Sequence, residues 1–155
     1  MTAGKACSAL ITGANRGLGL EIFKQLLEAP CSKIFAGCRD PDGLNSELME
    51  IAKHFSTAIS VVLLDVADPC SIKESAKKVG SLLGENILNL LMDNAGVLPQ
   101  KTMFTATVED MQNTVNTNVI GTLFVIREYL YYLRIAAKAT RIHGLHWQNN
   151  VLVKG

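Results

Sequence analysis

Short apolar runs alternate with amphipathic stretches along most of this chain, and that alternation limits the fold more than any other feature. Residues 8–12, 33–38, 59–64 and 87–92 are short and apolar and read as buried strands. After the first, Leu18, Ile22, Leu26 and Leu27 recur at helical spacing over 17–29, and Pro30 follows the end. Residues 44–55 read as a second helix. A third runs to Leu83, entered at Asp68 or at Ser71, which has Glu74 at capping-box spacing, and is closed by Gly84. Beyond a loop over 99–107, Val115, Val119, Leu123, Ile126, Leu130 and Leu133 keep one face of a long helix apolar. Strands that alternate with helices need crossover connections, and crossovers give a parallel sheet covered on both faces. The predicted fold is α/β, an incomplete doubly wound parallel sheet of about four strands with flanking helices.

Composition excludes several classes. The 155 residues carry 15 Lys+Arg against 14 Asp+Glu, a net charge of +1, with no basic block to track a phosphate backbone, so nucleic acid is not an expected partner. At 48% hydrophobic the chain is too apolar for disorder. It has no apolar run of the roughly 18 residues a membrane span needs. Residues 1–10 lack a long apolar segment with a cleavage site, so no signal peptide is read. Cys7, Cys31, Cys38 and Cys70 show neither CxxC pairing nor metal spacing. They are expected to be buried free thiols in a reducing compartment, and a cytoplasmic location follows. His143 and His146 stand three apart with no further ligand at suitable spacing, so no metal site is expected.

The first strand runs into Thr12-Gly13-Ala14-Asn15-Arg16-Gly17-Leu18-Gly19, which opens the first helix. A glycine-rich strand-to-helix turn lets backbone approach a pyrophosphate, and the helix start offers free N–H groups and a positive dipole end. A tight turn needing glycine only for its backbone shape would also use such residues, but the strand-before, helix-after context favours the phosphate reading.

The pattern Thr12-Gly13-x-x-x-Gly17-x-Gly19 resembles the cofactor turn of the short-chain dehydrogenases/reductases. Three later segments agree: Leu64-Asp65-Val66 after the third strand, Asn94-Ala95-Gly96 after the fourth, and Asn118-Val119-Ile120-Gly121 in the long helix. Asp93 stands where that family's motif has its first Asn. With Gly37-Cys38-Arg39-Asp40-Pro41, the combination is most similar to the C-factor/sniffer-type carbonyl reductases. The resemblance implies a Rossmann-type sheet of order 3-2-1-4 and an NADP(H)-dependent oxidoreductase. It implies a cofactor set of Gly13, Asn15, Arg16, Gly17, Leu18, Gly19, Arg39, Asp65, Val66, Asn94, Ala95 and Gly96. A basic residue past the second strand pairs with a 2′-phosphate and an acidic one with a ribose hydroxyl. Arg39, with Arg16 beside it, favours NADP(H), while Asp40 leaves NAD open.

The family's proton donor is a Tyr with a Lys four residues on, preceded by a Ser on the fifth strand. Tyr129, Tyr131 and Tyr132 are followed at that spacing by Leu133, Ile135 and Ala136, so no copy exists in residues 1–155. The three tyrosines are expected to pack or snorkel at the helix surface. Of the catalytic positions only Asn118, a supporting one, is present. The chain therefore reads as a dinucleotide-binding part over residues 1–140 and a non-homologous, poorly ordered tail over 141–155, inactive alone. The alternatives are a non-catalytic nucleotide-binding or partner-binding fragment and a non-functional truncated product. In the tail only Val151, Leu152 and Val153 look strand-like, and nothing is evident for it to dock against. The fourth strand would then be a bare edge, which templates pairing with another chain. The helix over 115–133 is the expected contact for a second copy or a longer homologue.

Overall fold

The structure, a computed structural model, describes residues 7–41, 47–137, 147–148 and 150–154. The elements follow in order as β1 (Cys7–Thr12), α1 (Gly17–Glu28), β2 (Cys31–Cys38), α2 (Glu47–His54), β3 (Ile59–Leu63), α3 (Pro69–Leu83) and β4 (Leu90–Asp93). Then come α4 (Val108–Val115), a π-helical turn (Asn116–Gly121), α5 (Thr122–Ala137), β5 (Trp147–Gln148) and β6 (Asn150–Lys154). The first four strands form a parallel sheet, as the alternation predicts, in the order β3-β2-β1-β4 that the family resemblance implies.

Successive side chains of these strands point to opposite faces and build two cores. Leu10, Phe35, Val62 and Leu91 turn toward α3 and α5 and meet Ile72, Val79, Val125 and Tyr129. Ile11, Ile34, Ala36 and Ile59 turn the other way and meet Leu20, Phe23 and Leu48 of α1 and α2. A sheet buried on both faces explains why its strands read as continuous apolar runs. Helix α3 starts at Asp68, whose side chain accepts the Cys70 N–H at 2.9 Å, with Pro69 in the first turn. Ser71 does not cap it. Its hydroxyl accepts the Asp65 N–H instead, and Glu74 pairs with Lys77.

Several expectations are corrected. Residues 115–133 are not one regular helix, because a π turn interrupts them between α4 and α5. Its last residue, Gly121, lies against the Val66 carbonyl so closely that any Cβ would collide with it. That contact sets which face turns inward: Gly121, Val125, Tyr129 and Leu133 at four-residue steps. Val115, Val119 and Leu123 are instead 44%, 61% and 64% exposed. Tyr129 is fully buried rather than at the surface, donating to Ser75 Oγ at 2.8 Å. Of the cysteines only Cys38 is buried. Cys7 and Cys31 are half-buried and Cys70 is exposed, these three with free thiols.

The edge expected at β4 is paired. β6 runs antiparallel to it with Leu91 opposite Val153 and Asp93 opposite Val151, and β5 pairs with β6. An apolar β-branched segment next to an uncovered strand is the combination that edge pairing requires. His143 and His146 lie outside the described residues. Among the described residues no metal-binding cluster occurs, and no helix is long and apolar enough to cross a membrane.

Candidate cofactor site

All four parallel strands end on one side of the sheet, and β1 sits where the chain order reverses between β2 and β4. Open α/β sheets hold ligands at such a switch point. A cleft of about 380 Å³ lies there. Its wall holds all twelve residues expected to touch a cofactor, from Gly13 through Arg39, Asp65 and Val66 to Gly96, and adds Cys38, Leu64, Ala67, Val97 and Thr117.

The glycine turn is shaped by backbone that only glycine adopts easily. Gly13 and Gly17 have φ of 66° and 54°. A Cβ on Gly19 would run into the Gly13 carbonyl and the Asn94 amide, so the helix start packs directly on the turn. The Ala14 N–H donates to the Gly37 carbonyl at 3.0 Å and ties the turn to β2. Arg16 occupies the N-cap of α1 with extended backbone and no side-chain cap, and the first turn has no acidic residue. The first N–H groups of α1 therefore face the cleft without a side-chain acceptor, as an anion site needs. Arg16 and Arg39 are both exposed on the rim, and among the described residues neither forms an ion pair.

Thr12, part of the motif but not among the residues expected to touch a cofactor, fastens the opposite wall. Its buried hydroxyl accepts the N–H groups of Asn94 and Ala95 at 3.0 and 2.9 Å, then donates to Asp93 Oδ1 at 2.6 Å. The Asn94 amide returns to the Thr12 carbonyl at 3.1 Å and the Gly13 carbonyl at 3.4 Å. Asn94 thus braces the glycine turn from behind. Burial raises the Asp93 carboxyl above its ordinary range, against the pull of the Thr12 and Thr122 hydroxyls. Asp65 Oδ1 accepts the Ala67 N–H at 2.9 Å and shapes the turn that presents Val66.

Asn118 stands apart from the cleft wall, in the π turn. Its amide grips one residue of the loop after β4, accepting the Val97 N–H at 2.9 Å and donating to the Val97 carbonyl at 2.7 Å. With both ends of the amide engaged, Asn118 positions this loop over the cleft.

Comparison with known proteins agrees with this geometry. The family model described as short chain dehydrogenase matches residues 8–142. Similar solved structures include the NADPH-bound carbonyl reductase from chicken fatty liver, 39% identical with a TM-score of 0.82, over 86% of this chain and 51% of that one. The carbonyl reductase Sniffer of D. melanogaster is 29% identical with a TM-score of 0.80, over 90% of this chain and 57% of that one. The short chain dehydrogenase tazN of Aspergillus terreus is 32% identical over 138 residues, which is 84% of this chain and 28% of that protein. The chain spans about half the length of these carbonyl reductases and less of tazN. On the matched span, the glycine turn and the strand order, this chain belongs to the short chain dehydrogenase family.

Proposed function

We propose that this chain is the cofactor-binding part of an NADP(H)-dependent oxidoreductase of the carbonyl reductase type, and that residues 1–155 bind the dinucleotide without turning it over. The observation that carries the reading is the convergence of the turn, both arginines and the ends of β3 and β4 on one cleft. The residues suit NADP(H). Uncapped N–H groups at α1 would take the pyrophosphate. Arg16 and Arg39 would take the 2′-phosphate, to which a guanidinium offers a planar fork of donors. Val66 with Asp65 would lie along the adenine. When bound, the nicotinamide supplies hydride. The likeness to carbonyl reductases from chicken and fly supports that subgroup, and the sequence offers no Tyr-x-x-x-Lys to move the accompanying proton.

Thermal melts of the full 155-residue chain with NADPH and with NADH test the binding, since a ligand that binds only the folded state raises the melting temperature. A rise with NADPH and little with NADH is expected, together with no carbonyl-dependent oxidation of NADPH. No rise with either nucleotide sinks the cofactor reading, and turnover sinks the non-catalytic part of it. A binding role with a partner gains support from the exposed apolar positions Val115, Val119 and Leu123, which suit a second copy of this chain or a longer homologue. A reducing, cytoplasmic setting suits the free thiols of Cys7, Cys31 and Cys70.

A further inference from the structure

Cys7 opens β1 and Cys31 opens β2, and the register sets them opposite each other at the end of the sheet away from the cleft. Neighbouring strands lie about 4.8 Å apart, within the span of about 4.4–6.8 Å between the α-carbons of a disulfide. A bridge also needs both side chains on one face of the sheet. On β1, Cys7 stands at even steps from Ile11, which faces α1 and α2. On β2, Ile34 and Ala36 face the same way, so unbroken alternation would send Ser32 to that face and Cys31 to the other. The ladder is broken at this point. Cys7 pairs with Cys31 and Ser8 with Lys33, which leaves Ser32 as one extra residue on β2. The extra residue reverses the phase, and Cys31 packs against the same core as Ile11 and Ile34. The irregularity is held in place: Ser32 Oγ donates to the Cys7 carbonyl at 3.3 Å, and the Cys31 N–H donates to the Ala29 carbonyl at 2.7 Å. Both thiols are free and half-buried, so a small molecule can reach them.

We propose that Cys7 and Cys31 form a reversible disulfide between β1 and β2, made by exchange with a low-molecular-weight disulfide of the oxidised-glutathione class. In the first step one cysteine thiolate attacks the small disulfide, whose S–S bond breaks. A mixed disulfide forms and one small thiol leaves. In the second step the other cysteine thiolate attacks the protein sulfur of the mixed disulfide, and the second small thiol leaves. Two electrons pass from the cysteines to the small disulfide, and the two cysteine protons end on the two released thiols. An excess of the reduced small thiol runs both steps backward. The link needs neither the cleft nor a cofactor.

Burial, with the Cys7 thiol adding to it, pushes the Cys31 thiol up to about 11. In either order of attack Cys31 must lose its proton at one of the two steps, which makes closure slow and suits sustained rather than brief oxidation. The closed bond would tie residue 7 to residue 31 across a loop that contains the rest of β1, the glycine turn and the whole of α1. Such a link takes freedom from the unfolded chain, more so for a longer loop, and so favours the folded state. Oxidation would then stabilise the unit that carries the turn while leaving the cleft open, because neither sulfur lines it.

The test uses the full chain as wild type, Cys7→Ser and Cys31→Ser. Each is held below its melt in glutathione buffers stepped from reduced to oxidised and left for hours, the slow end of disulfide exchange. Remaining thiols are then blocked in acid, and the chain is cut with trypsin and weighed by mass spectrometry. Cys7 falls in the tryptic peptide 6–16 and Cys31 in 25–33. The oxidised wild type should yield these two peptides joined, lighter by two hydrogens than their sum, and reduced glutathione should separate them again. The joined pair should exceed every linkage to Cys38 or Cys70 in the folded chain and lose that lead when the same oxidation is done in urea. Oxidation should raise the wild-type melting temperature by about 5–10 °C and leave both serine variants where they were. Peptides that never join, a folded chain with the same mixture of linkages as the unfolded one, or a link only between separate chains overturns the disulfide. An equal rise in Cys7→Ser, or no rise in the wild type, overturns its stabilising role. Should a serine variant not fold, the wild-type peptide map and its reversal by reduced glutathione decide alone.

Discussion

Single side chains decide what the cleft can hold. Arg39 is the first residue past β2, exposed on the rim, and a hydrogen bond to a charged group contributes about 1.5–3 kcal/mol. Arg39→Ala should therefore weaken NADPH binding by about tenfold to a hundredfold and leave NADH binding nearly unchanged, as read by calorimetric titration. An equal loss for both nucleotides would remove Arg39 from 2′-phosphate recognition. Gly19→Ala tests the turn itself. Its methyl group would meet the Gly13 carbonyl and the Asn94 amide, and forced overpacking costs about 1–3 kcal/mol. A lowered melting temperature that NADPH no longer raises is expected. The glycines and the arginines were legible because motif and spacing are local. The Thr12–Asp93 bond was not, because its partners are 81 residues apart and meet only when β1 and β4 pair.

Strands and helices were legible wherever the apolar pattern ran without interruption, and misread where a backbone contact overrode it. The face of α5 is such a place. Leu123 belongs to the apolar stripe in sequence, yet the approach of Gly121 to Val66 turns Val125, Tyr129 and Leu133 inward. No periodicity count contains that contact, and a π turn has no composition of its own to announce it. Tyr129 then carries the packing of α5 on α3. Its ring is fully buried, and Ser75 relays its hydrogen bond to the Ile72 carbonyl at 2.6 Å. Tyr129→Ala should cost about 3–5 kcal/mol and Tyr129→Phe about 1 kcal/mol, measured as shifts in urea midpoint. Burial also raises the Tyr129 hydroxyl above its ordinary value, so the folded state keeps a proton that the unfolded chain loses. Stability should fall as pH rises beyond about 10, and Tyr129→Phe should flatten that limb. An alkaline limb unchanged in Tyr129→Phe would assign the fall to other groups.

At the scale of the molecule, the parallel sheet was legible because alternating elements need crossover connections, and its order β3-β2-β1-β4 was legible only through the family resemblance. The pairing of β6 on β4 was not, since a five-residue strand after an aperiodic segment gives no sign of its direction or partner. That pairing changes where association should occur. With the β4 edge engaged, one exposed apolar stripe among the described residues runs along α4, the π turn and the start of α5. Met111, Val115, Val119 and Leu123 are all exposed there at steps of four residues. A stripe of this kind stays in water only at a cost of about 25 cal/mol per Å² of apolar surface, and two copies pressed together recover it. The 155-residue chain should therefore sediment as an increasing oligomer as its concentration rises. The double variant Val119→Glu with Leu123→Glu should stay monomeric, because each carboxylate would have to be stripped of water in the contact. Its melting temperature should respond to NADPH as the wild type does, since neither side chain lines the cleft. A wild type that remains monomeric at every concentration would remove the stripe as a contact between copies. Association that persists in the double variant would move the contact to another surface.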